Sequence, residues 1–236
     1  MIKSRDILYP PRALGKKINA CMFTKGFFKR QNIHLKNKQE YLKIISSHLG
    51  VPLIQLEQVH GIKIKEVDEQ DNELIPNTDG IYTRASNVAL SIQTADCMPI
   101  ILSSQNGKEI SALHVGWRGL SKGILEESFK YFHSPLETIS AWIAPSISRE
   151  KYEVGEDVFD IFLESDKESE TNLIKKNNSR KWLLDLRLEA KRRMQKFGIT
   201  VFIDNYCTFG EKELFFSFRR NQSPRRMVTV VWRKNG

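Results

Sequence analysis

The sequence has few cysteines, and their spacing does not suggest a disulfide scaffold. Its three cysteines, Cys21, Cys97 and Cys207, lie far apart, and no two of them form a C-x-x-C pair. An odd number of widely spaced cysteines argues against a disulfide framework. Free thiols are typical of proteins in a reducing cytosol, so we predict a cytoplasmic location.

Long apolar runs are also missing. No stretch reaches the roughly 18 apolar residues that a membrane-spanning helix needs. The first residues, MIKSRDILYPPRALGKK, contain no apolar run of the length found in a signal peptide. The sequence therefore predicts no membrane partner.

Basic residues outnumber acidic ones. There are 37 lysines and arginines against 28 aspartates and glutamates, which gives a net charge of +9 and a pI of about 9.4. Such a balance suits anionic partners, whether nucleic acid, acidic lipid or a small phosphate-bearing substrate. No recognised nucleic-acid motif accompanies the charge, so we expect no specific nucleic-acid partner. A lysine-rich solvated surface accounts for the charge equally well, and nothing in the sequence indicates an oligomeric state.

The length and patterning indicate one α+β domain. The 236 residues, 40% of them apolar, are enough for one sizeable core. We take 1–236 as a single catalytic domain in which 1–17, with Pro10 and Pro11, is an irregular lead-in. Strand and helix signals do not alternate regularly, which favours mixed β-sheets flanked by helices over a doubly wound fold. Strands are predicted at 18–24, 53–56, 62–67, 80–83, 88–93, 99–103, 110–115, 138–143, 199–203, 214–218 and 227–232, helices at 38–49, 120–132, 153–164 and 185–197, a turn at 24–32 and a mobile loop at 165–181.

Three short segments carry residues suited to chemistry at predicted strand ends: EQVHG at 57–61, TADCMP at 94–99 and HVGWRG at 114–119. They supply a candidate ligand set of His60, Cys97 and His114. Zinc binds imidazole nitrogen and thiolate sulfur, and three protein ligands leave a fourth position open, as in catalytic zinc sites.

The same residues allow two other chemistries. Cys97 and His114 form a possible thiolate–imidazole pair, with Asp96 or Asp79 orienting the ring, as in a hydrolase or amidase. Two histidines, a cysteine and the adjacent Met98 also suit a copper site, although five histidines are too few for a multicopper oxidase. A zinc deaminase signature is absent, since H-x-E and C-x-x-C are both missing. The residues alone therefore leave three chemistries open: a zinc site, a thiolate–imidazole pair and a copper site.

A set of motifs along nearly the whole chain resembles one family. The sequence is similar to the bacterial YfiH-type family, also called the laccase-domain or polyphenol oxidase family and regarded as purine nucleoside phosphorylases. The matching segments are QVHG at 58–61, TDGIYT at 78–83, TADCMPI at 94–100, ALHVGWRGL at 112–120, YEVGEDV at 152–158, CTF at 207–209, FFSFRR at 215–220 and RMVTVVW at 226–232.

The resemblance implies a fold, a metal and a reaction. The implied fold is α+β and similar to the catalytic domain of a deamidating bacterial toxin. His60, Cys97 and His114 match the family's zinc ligands. The implied activity is phosphorolysis of adenosine, inosine, guanosine or methylthioadenosine to the base and ribose 1-phosphate, with adenosine deamination as a side activity. The older copper polyphenol oxidase label fits the small number of ligands poorly.

The sequence departs from the family pattern in three places. Lys25 stands near a usual arginine in a shortened glycine-poor loop, and a lysine provides a cation but not a bidentate fork. Glu150 and Lys151 replace paired cysteines, and Arg225 replaces a usual glycine. These changes bear on rate and substrate preference more than on the metal ligands.

Further residues near the motifs are candidates for substrate contacts or for support of the ligands. Arg118 and Arg219 are candidate anion-binding residues, each also suited to bonding loop carbonyls, and Lys25 is a weaker candidate. Asp79 and Asp96 are candidates to accept the free imidazole N–H of a ligand histidine, while Asp79 also suits an Asx-turn. Gln58 suits a purine or ribose contact or a role in fixing its own loop. We expect Trp117 to pack, and Tyr152 and Glu153 to cap a helix start.

Overall fold

The architecture consists of three β-sheets with helices packed around them. The computed structural model describes residues 5–31, 38–71, 74–177 and 179–233, with side chains from Leu42 onward in the second range. The strands are β1 Ile7–Leu8, β2 Ile18–Phe23, β3 Leu53–Leu56, β4 Ile64–Glu66, β5 Leu74–Ile75, β6 Gly80–Thr83, β7 Ala89–Thr94, β8 Met98–Ser104, β9 Ile110–Val115, β10 Ile139–Ile143, β11 Glu153–Gly155, β12 Leu173–Lys175, β13 Lys181–Leu184, β14 Thr200–Ile203 and β15 Met227–Arg233.

The α-helices are mostly short. They are α1 Lys25–Arg30, α2 Lys38–Leu49, α3 Trp117–Ser121, α4 Ile124–Phe129, α5 Glu156–Ser165, α6 Leu186–Gln195 and α7 Phe218–Asn221. Three 3₁₀ helices lie at Leu136–Thr138, Arg149–Lys151 and Lys167–Asn172. In the described part of the chain, no helix combines the length and apolar character needed to cross a membrane.

The two large sheets are mixed, which confirms the predicted α+β class. The first has the order β1-β2-β15-β7-β3-β5 and the second β14-β10-β8-β9-β6-β4, while β11-β13-β12 form a small third sheet. Strand β15 pairs antiparallel with both β2 and β7, whereas β3 runs parallel to β7. In the second sheet β8 lies antiparallel between β9 and β10.

Both faces of the second sheet are covered, so its central strands are buried throughout. Every residue of β8 and β9 is buried. Successive side chains of a strand point to opposite faces. Ile101 accordingly joins the cluster that includes β7 and β15, whereas Ile100 and Leu102 join the cluster formed with α4, α5 and α6. The strand ends in this core therefore have little freedom, which suits a site built on them.

The predicted turn at 24–32 was wrong, because most of it forms α1. The Thr24 side chain caps this helix by accepting a hydrogen bond from the Gly26 N–H at 3.2 Å. Phe27 and Phe28 are 1% and 0% exposed. Burial of these two rings stabilises a short helix whose turn-like composition gives little local signal.

The predicted helix over 120–132 is broken into α3 and α4. Gly123 between them has a φ of +88°, in the left-handed region that glycine adopts readily. The predicted helix over 153–164 begins only at Glu156, because Glu153–Gly155 form β11 and pair with β13. Apolar spacing alone did not separate these segments, since each buries its side chains on the same cluster.

Three further predictions were wrong at the edges of the fold. The expected mobile loop at 165–181 contains a 3₁₀ helix, β12 and the first residue of β13, although residue 178 lies outside the described residues. The predicted strand at 214–218 is irregular, and Ser217 caps α7 by accepting from the Arg220 N–H at 3.1 Å. The predicted irregular lead-in at 1–17 includes β1, which pairs with β2.

The predicted helix cap at Asp185 is confirmed, since its carboxylate accepts a hydrogen bond from the Leu188 N–H at 3.0 Å.

A buried carboxylate organises the helical side of the molecule. Glu189 on α6 is 0% exposed and accepts hydrogen bonds from Arg192 and Arg193, both at 2.7 Å. Ser169 and Asn172 each donate to it at 2.8 Å. Burial opposes the ionised carboxylate, but the hydrogen bonds, those of Arg192 and Arg193 foremost, outweigh it and hold the pKa of Glu189 at about 2.

This network also reaches the helix that follows the predicted ligand His114. Arg193 donates from Nη1 to the Leu120 carbonyl of α3 at 2.9 Å. Arg193 is 5% exposed, so its charge depends on Glu189 for compensation. The ion pair therefore fixes α3 against α6.

Replacing Glu189 should destabilise the fold strongly at neutral pH. Glu189→Gln leaves the buried Arg193 guanidinium beside a neutral amide, and removal of one partner of a buried ion pair costs about 3–5 kcal/mol. We expect the free energy of unfolding from urea denaturation at pH 7 to fall by that amount. Because the folded-state pKa of Glu189 is lowered, its contribution is present above about pH 4.3 and is lost as the pH falls toward 2.

The matched control is Glu170→Gln, at an exposed position of the neighbouring 3₁₀ helix. It should change the free energy of unfolding by less than about 0.5 kcal/mol. A loss below about 1 kcal/mol for Glu189→Gln, or a loss that does not shrink at acid pH, would contradict the assigned role.

Candidate metal centre

The three predicted ligands meet where the chain passes between the two large sheets. One crossing, from β3 to β4, carries His60, and the other, from β7 to β8, carries Cys97. His114 lies on β9, next to β8, with Pro99 as its register partner. Short crossings between packed sheets leave these side chains close together although they are far apart in sequence.

The cluster is compact and open on one side. One ligand atom from each of His60, Cys97 and His114 lies within 4.8 Å of the other two. The imidazole centroids of the two histidines are 4.6 Å apart. His60 is exposed, Cys97 is half-buried and His114 is buried. A bound ion would therefore be reached from the side of His60.

Asp79 holds two of the three ligands in place. Its buried carboxylate accepts hydrogen bonds from the backbone N–H groups of His60 at 2.9 Å and Gly61 at 2.7 Å, with Val59 at 3.2 Å. The same carboxylate lies 2.7 Å from Nδ1 of His114. The predicted partner of a ligand histidine is thus Asp79, whose role extends beyond an Asx-turn. Since Nδ1 is engaged, Nε2 of His114 is the nitrogen left for an ion.

The backbone at His60 needs this support. His60 has a φ of +62°, in a region that residues other than glycine rarely adopt. Three N–H groups converging on one carboxylate stabilise the turn. Burial raises the pKa of Asp79, but the hydrogen bonds from His114 and Gly61 outweigh it and lower the pKa overall. Asp79 is therefore a carboxylate at neutral pH.

The cysteine of the cluster is poised as a thiolate. Burial disfavours the charged sulfur, but His114 and His60 outweigh it and lower the pKa of Cys97 to about 6. Burial likewise opposes the charged imidazole, yet the Cys97 thiolate and Asp79 raise the pKa of His114 to about 9. Without an ion, the pair is a thiolate and an imidazolium, and a divalent cation would replace the imidazole proton.

The residues present fit a zinc ion. Zinc takes a thiolate at about 2.3 Å and imidazoles at about 2.0–2.1 Å, which separates tetrahedral ligand atoms by roughly 3.3–3.7 Å. The observed ligand atoms lie within 4.8 Å of one another, so small side-chain movements would bring them to these separations. Gly116 keeps the space clear, because a Cβ there would lie 3.1 Å from the Cys97 sulfur and 3.3 Å from Cδ2 of His60.

Asp96 does not contact a ligand histidine, contrary to one of the two predicted arrangements. Its carboxylate accepts from the hydroxyls of Thr208 at 2.7 Å and Ser217 at 2.9 Å, and from the Arg219 N–H at 2.7 Å. It has a φ of +94°. Asp96 therefore anchors the C-terminal segment to the loop that carries Cys97, because its own hydrogen-bonding capacity is used there.

The two candidate arginines occupy different surroundings. The Arg118 guanidinium lies 4.3 Å from the Trp117 ring centroid and is exposed. Arg219 donates from Nη1 to the Glu153 carbonyl at 2.8 Å and lies 5.0 Å from the centroid of Tyr152. Trp117 is half-buried and packs against the second core cluster, as predicted.

Gln58 and Lys25 make contacts within the protein. Gln58 donates to the Gln93 carbonyl at 2.8 Å and accepts from its N–H at 2.9 Å, so the side chain fixes the QVHG loop to β7. Lys25 donates to the Lys212 carbonyl at 2.7 Å. Burial, followed by the nearby cations Lys29, Arg220 and Arg225, lowers the pKa of Lys25, although Glu213 opposes this.

The sequence predicted only a helix-capping role for Tyr152, whereas the structure links it to the cluster. It is 9% exposed, and the pKa of its phenol is raised by burial and by the Cys97 thiolate, with Arg219 and Arg118 opposing. Its phenol is therefore near enough to Cys97 and to both arginines to be influenced by their charges. Glu153 does not cap a helix but is a strand residue, and its carboxylate pairs with Lys176 at 2.6 Å. The YEVGEDV motif was the available signal for Tyr152.

The fold and the site define an α+β protein with a compact His–Cys–His centre at the junction of two mixed sheets. The family model described as "Multi-copper polyphenol oxidoreductase laccase" matches residues 31–234. The chain belongs to this family, the YfiH-type family that its motifs resemble.

Relatives and solved structures agree with this assignment. A Haemophilus influenzae protein named purine nucleoside phosphorylase is 36% identical over 196 residues, which cover 80% of this chain and 78% of the relative. A Campylobacter jejuni protein of the same name is 30% identical over 226 residues, or 91% of each chain. A Neisseria meningitidis crystal structure of the DUF152 family superimposes with a TM-score of 0.86 at 26% identity, covering 98% of this chain and 100% of that one.

Replacing Asp79 should weaken metal binding without removing a ligand. In Asp79→Asn the amide no longer provides a negative charge for His114 and accepts fewer N–H groups from the His60 turn. Loss of such a partner typically weakens metal affinity about 10–100-fold. We expect a decrease of that size in zinc affinity, measured by competition with a chromophoric chelator. The control Asp160→Asn, at an exposed position on α5, should bind zinc like the parent, and equal affinity for both variants would contradict the role of Asp79.

Adding one methyl group at Gly116 should disturb the same centre. Gly116→Ala places a Cβ against the Cys97 sulfur and the His60 ring, so one of these ligands must move. We expect weaker zinc binding, in the same competition assay, with an unchanged far-UV circular dichroism spectrum. Gly210→Ala is the matched control, since its Cβ would meet nothing closer than 3.8 Å. Unchanged zinc affinity in Gly116→Ala would contradict the claim that the absence of a side chain at Gly116 keeps room for the ligands.

Proposed function

We propose that this protein is a zinc-dependent purine nucleoside phosphorylase. The main support for this proposal is the cluster of His60, Cys97 and His114, which is compact and open on one side. In addition, relatives of this chain are named purine nucleoside phosphorylases. The proposed substrates are phosphate with adenosine, inosine, guanosine or methylthioadenosine, and the products are the base and ribose 1-phosphate. Adenosine deamination is a proposed side activity, and the proposed location is the cytoplasm.

The reaction needs an anion held at the sugar carbon and a stabilised leaving base. When bound, zinc would supply a Lewis-acid centre. Arg118 follows His114 by four residues, is exposed and carries no ion pair among the described residues, so it is the proposed phosphate ligand. Arg219 stabilises the wall of the site through Glu153 and Tyr152 and provides a second positive charge.

The remaining residues orient and support these groups. Asp79 keeps His114 and the His60 turn in place, and Asp96 fixes the segment that carries Arg219. Gln58 is proposed to act by holding the QVHG loop, because both ends of its amide are engaged by Gln93. Lys25 is proposed to add positive charge near Arg220 and not to contact substrate directly.

A second candidate is a cysteine hydrolase or amidase. The lowered pKa of Cys97 and the orientation of His114 by Asp79 are the features that a nucleophilic thiolate requires. Zinc binding and nucleophilic attack compete for the same sulfur. Protection of Cys97 from iodoacetamide, reversed by a chelator, would exclude the free nucleophile. A copper oxidase is less favoured, because the described residues provide a single cluster of three such ligands.

The direct test is release of purine base from inosine or adenosine by the zinc-loaded protein, with and without phosphate. We expect phosphate-dependent release that is abolished in Cys97→Ala, which removes one ligand. Cys207→Ala is the matched control, since Cys207 is also a half-buried free cysteine but lies outside the cluster. Absence of release from the parent protein with zinc bound would overturn the proposal.

The phosphate site is tested at Arg118. Loss of a hydrogen bond to a charged group costs about 1.5–3 kcal/mol, which is roughly a 10–100-fold change. We expect Arg118→Gln to raise the KM for phosphate by that factor, with partial rescue in Arg118→Lys. Arg180→Gln, at an exposed position on the turn before β13, should leave the KM for phosphate unchanged. An unchanged KM for phosphate in Arg118→Gln would exclude Arg118 as the phosphate ligand.

A further inference from the structure

A cavity lies against the first large sheet, away from the cluster of His60, Cys97 and His114. Its volume is about 410 Å³, and it is bounded by β2, the end of β15, the last turn of α2 and the segment 9–14. We call it the β2 cavity. Residues that define its chemistry are Tyr9, Arg12, Asn19, Cys21, His48 and Trp232. His60, Cys97 and His114 are not part of this lining.

The size and walls of the β2 cavity suit a small planar ligand. Ligand sites typically enclose about 300–1,000 Å³ and combine apolar and aromatic walls with a few polar groups. Tyr9, His48 and Trp232 provide three flat rings in the lining. His48 is itself held by edge contacts with Phe23 and Phe27 at 5.8 and 5.7 Å. A lining with three rings favours an aromatic ligand over a flexible aliphatic one.

One buried polar atom of the wall has no hydrogen-bond partner. The Nδ2 atom of Asn19 is inaccessible and donates to no acceptor in the structure. A buried donor without an acceptor costs about 1–3 kcal/mol. Because this atom is closed to solvent, it offers no donor to a ligand in the cavity, and the polar contact must come from another residue of the lining. Burial raises the pKa of the neighbouring Cys21 to about 12, so the thiol stays neutral and contributes no charge.

The charge at the cavity is positive. Arg12 is exposed, and its guanidinium lies 5.9 Å from the Phe202 ring centroid. Over the ranges that the structure describes, Arg12 forms no ion pair with an acidic side chain, and the cavity lining contains no aspartate or glutamate. An anionic group on a ligand would therefore meet an uncompensated guanidinium.

We propose that the β2 cavity is a binding site for a planar aromatic anion. Its ring would pack among Tyr9, His48 and Trp232, and its negative group would pair with Arg12. The site is separate from the proposed nucleoside site and does not depend on the phosphorylase assignment.

The test is a titration of the full-length protein with 1-anilinonaphthalene-8-sulfonate, an aromatic sulfonate whose fluorescence rises on binding. We expect one saturable site. Arg12→Gln should weaken binding about tenfold. Ala13→Phe should abolish binding by filling the opening, since Ala13 lines the cavity and is itself exposed. Lys16→Gln, at an exposed residue outside the lining, is the charge-matched control and should bind like the parent.

Two further measurements distinguish the β2 cavity from the metal cluster and from nonspecific adsorption of the probe. Cys97→Ala should retain full binding, and the uncharged analogue N-phenyl-1-naphthylamine should bind more weakly to the parent. Unchanged melting temperatures would show that the Arg12 and Ala13 variants are folded. Binding that does not saturate, that is lost in Cys97→Ala, or that is unchanged in both Ala13→Phe and Arg12→Gln would overturn the proposal.

Discussion

The carboxylate of Asp79 is the contact on which the site depends. It joins two parts of the chain that are far apart in sequence, namely the exposed turn at His60 and the buried strand residue His114. Its cost is a fully buried charge, which is compensated by backbone N–H groups and by the imidazole. The strained backbone at His60 and the choice of nitrogen at His114 both follow from this one group.

The same cluster has two chemical states, and an ion decides between them. Without a metal, Cys97 and His114 are arranged as a charged pair that resembles a nucleophile and its base. With zinc, the sulfur and both imidazoles become ligands and the nucleophile is blocked. The space beside Gly116 and the solvent-facing position of His60 favour the metal-bound state, because both leave room for an ion and a substrate. This is why the phosphorylase and amidase proposals are distinguished by metal content and not by the fold.

Sequence patterns predicted the fold class and the buried strands, which had strong local signals, and the family motifs singled out three residues that the structure brings together, His60, Cys97 and His114. Buried strands such as β8 read as apolar runs, and the ligands lie in distinctive motifs. The predictions failed where tertiary contacts or a single backbone angle decide the local structure. Burial of Phe27 stabilises a helix in the segment predicted as a turn, and the positive φ of Gly123 divides the segment predicted as one helix. The partner of His114 could be narrowed only to Asp79 or Asp96, since spacing does not show which carboxylate crosses between sheets. Nothing in the sequence indicated the cavity beside Asn19.

The central claim is that His60, Cys97 and His114 hold one zinc ion. The most direct measurement is zinc content together with zinc K-edge X-ray absorption of the purified protein. We expect one zinc per chain, bound by one sulfur at about 2.3 Å and nitrogen or oxygen ligands at about 2.0–2.1 Å, with the sulfur contribution absent in Cys97→Ala. Protein that takes up no zinc, or zinc without a sulfur ligand, would contradict it.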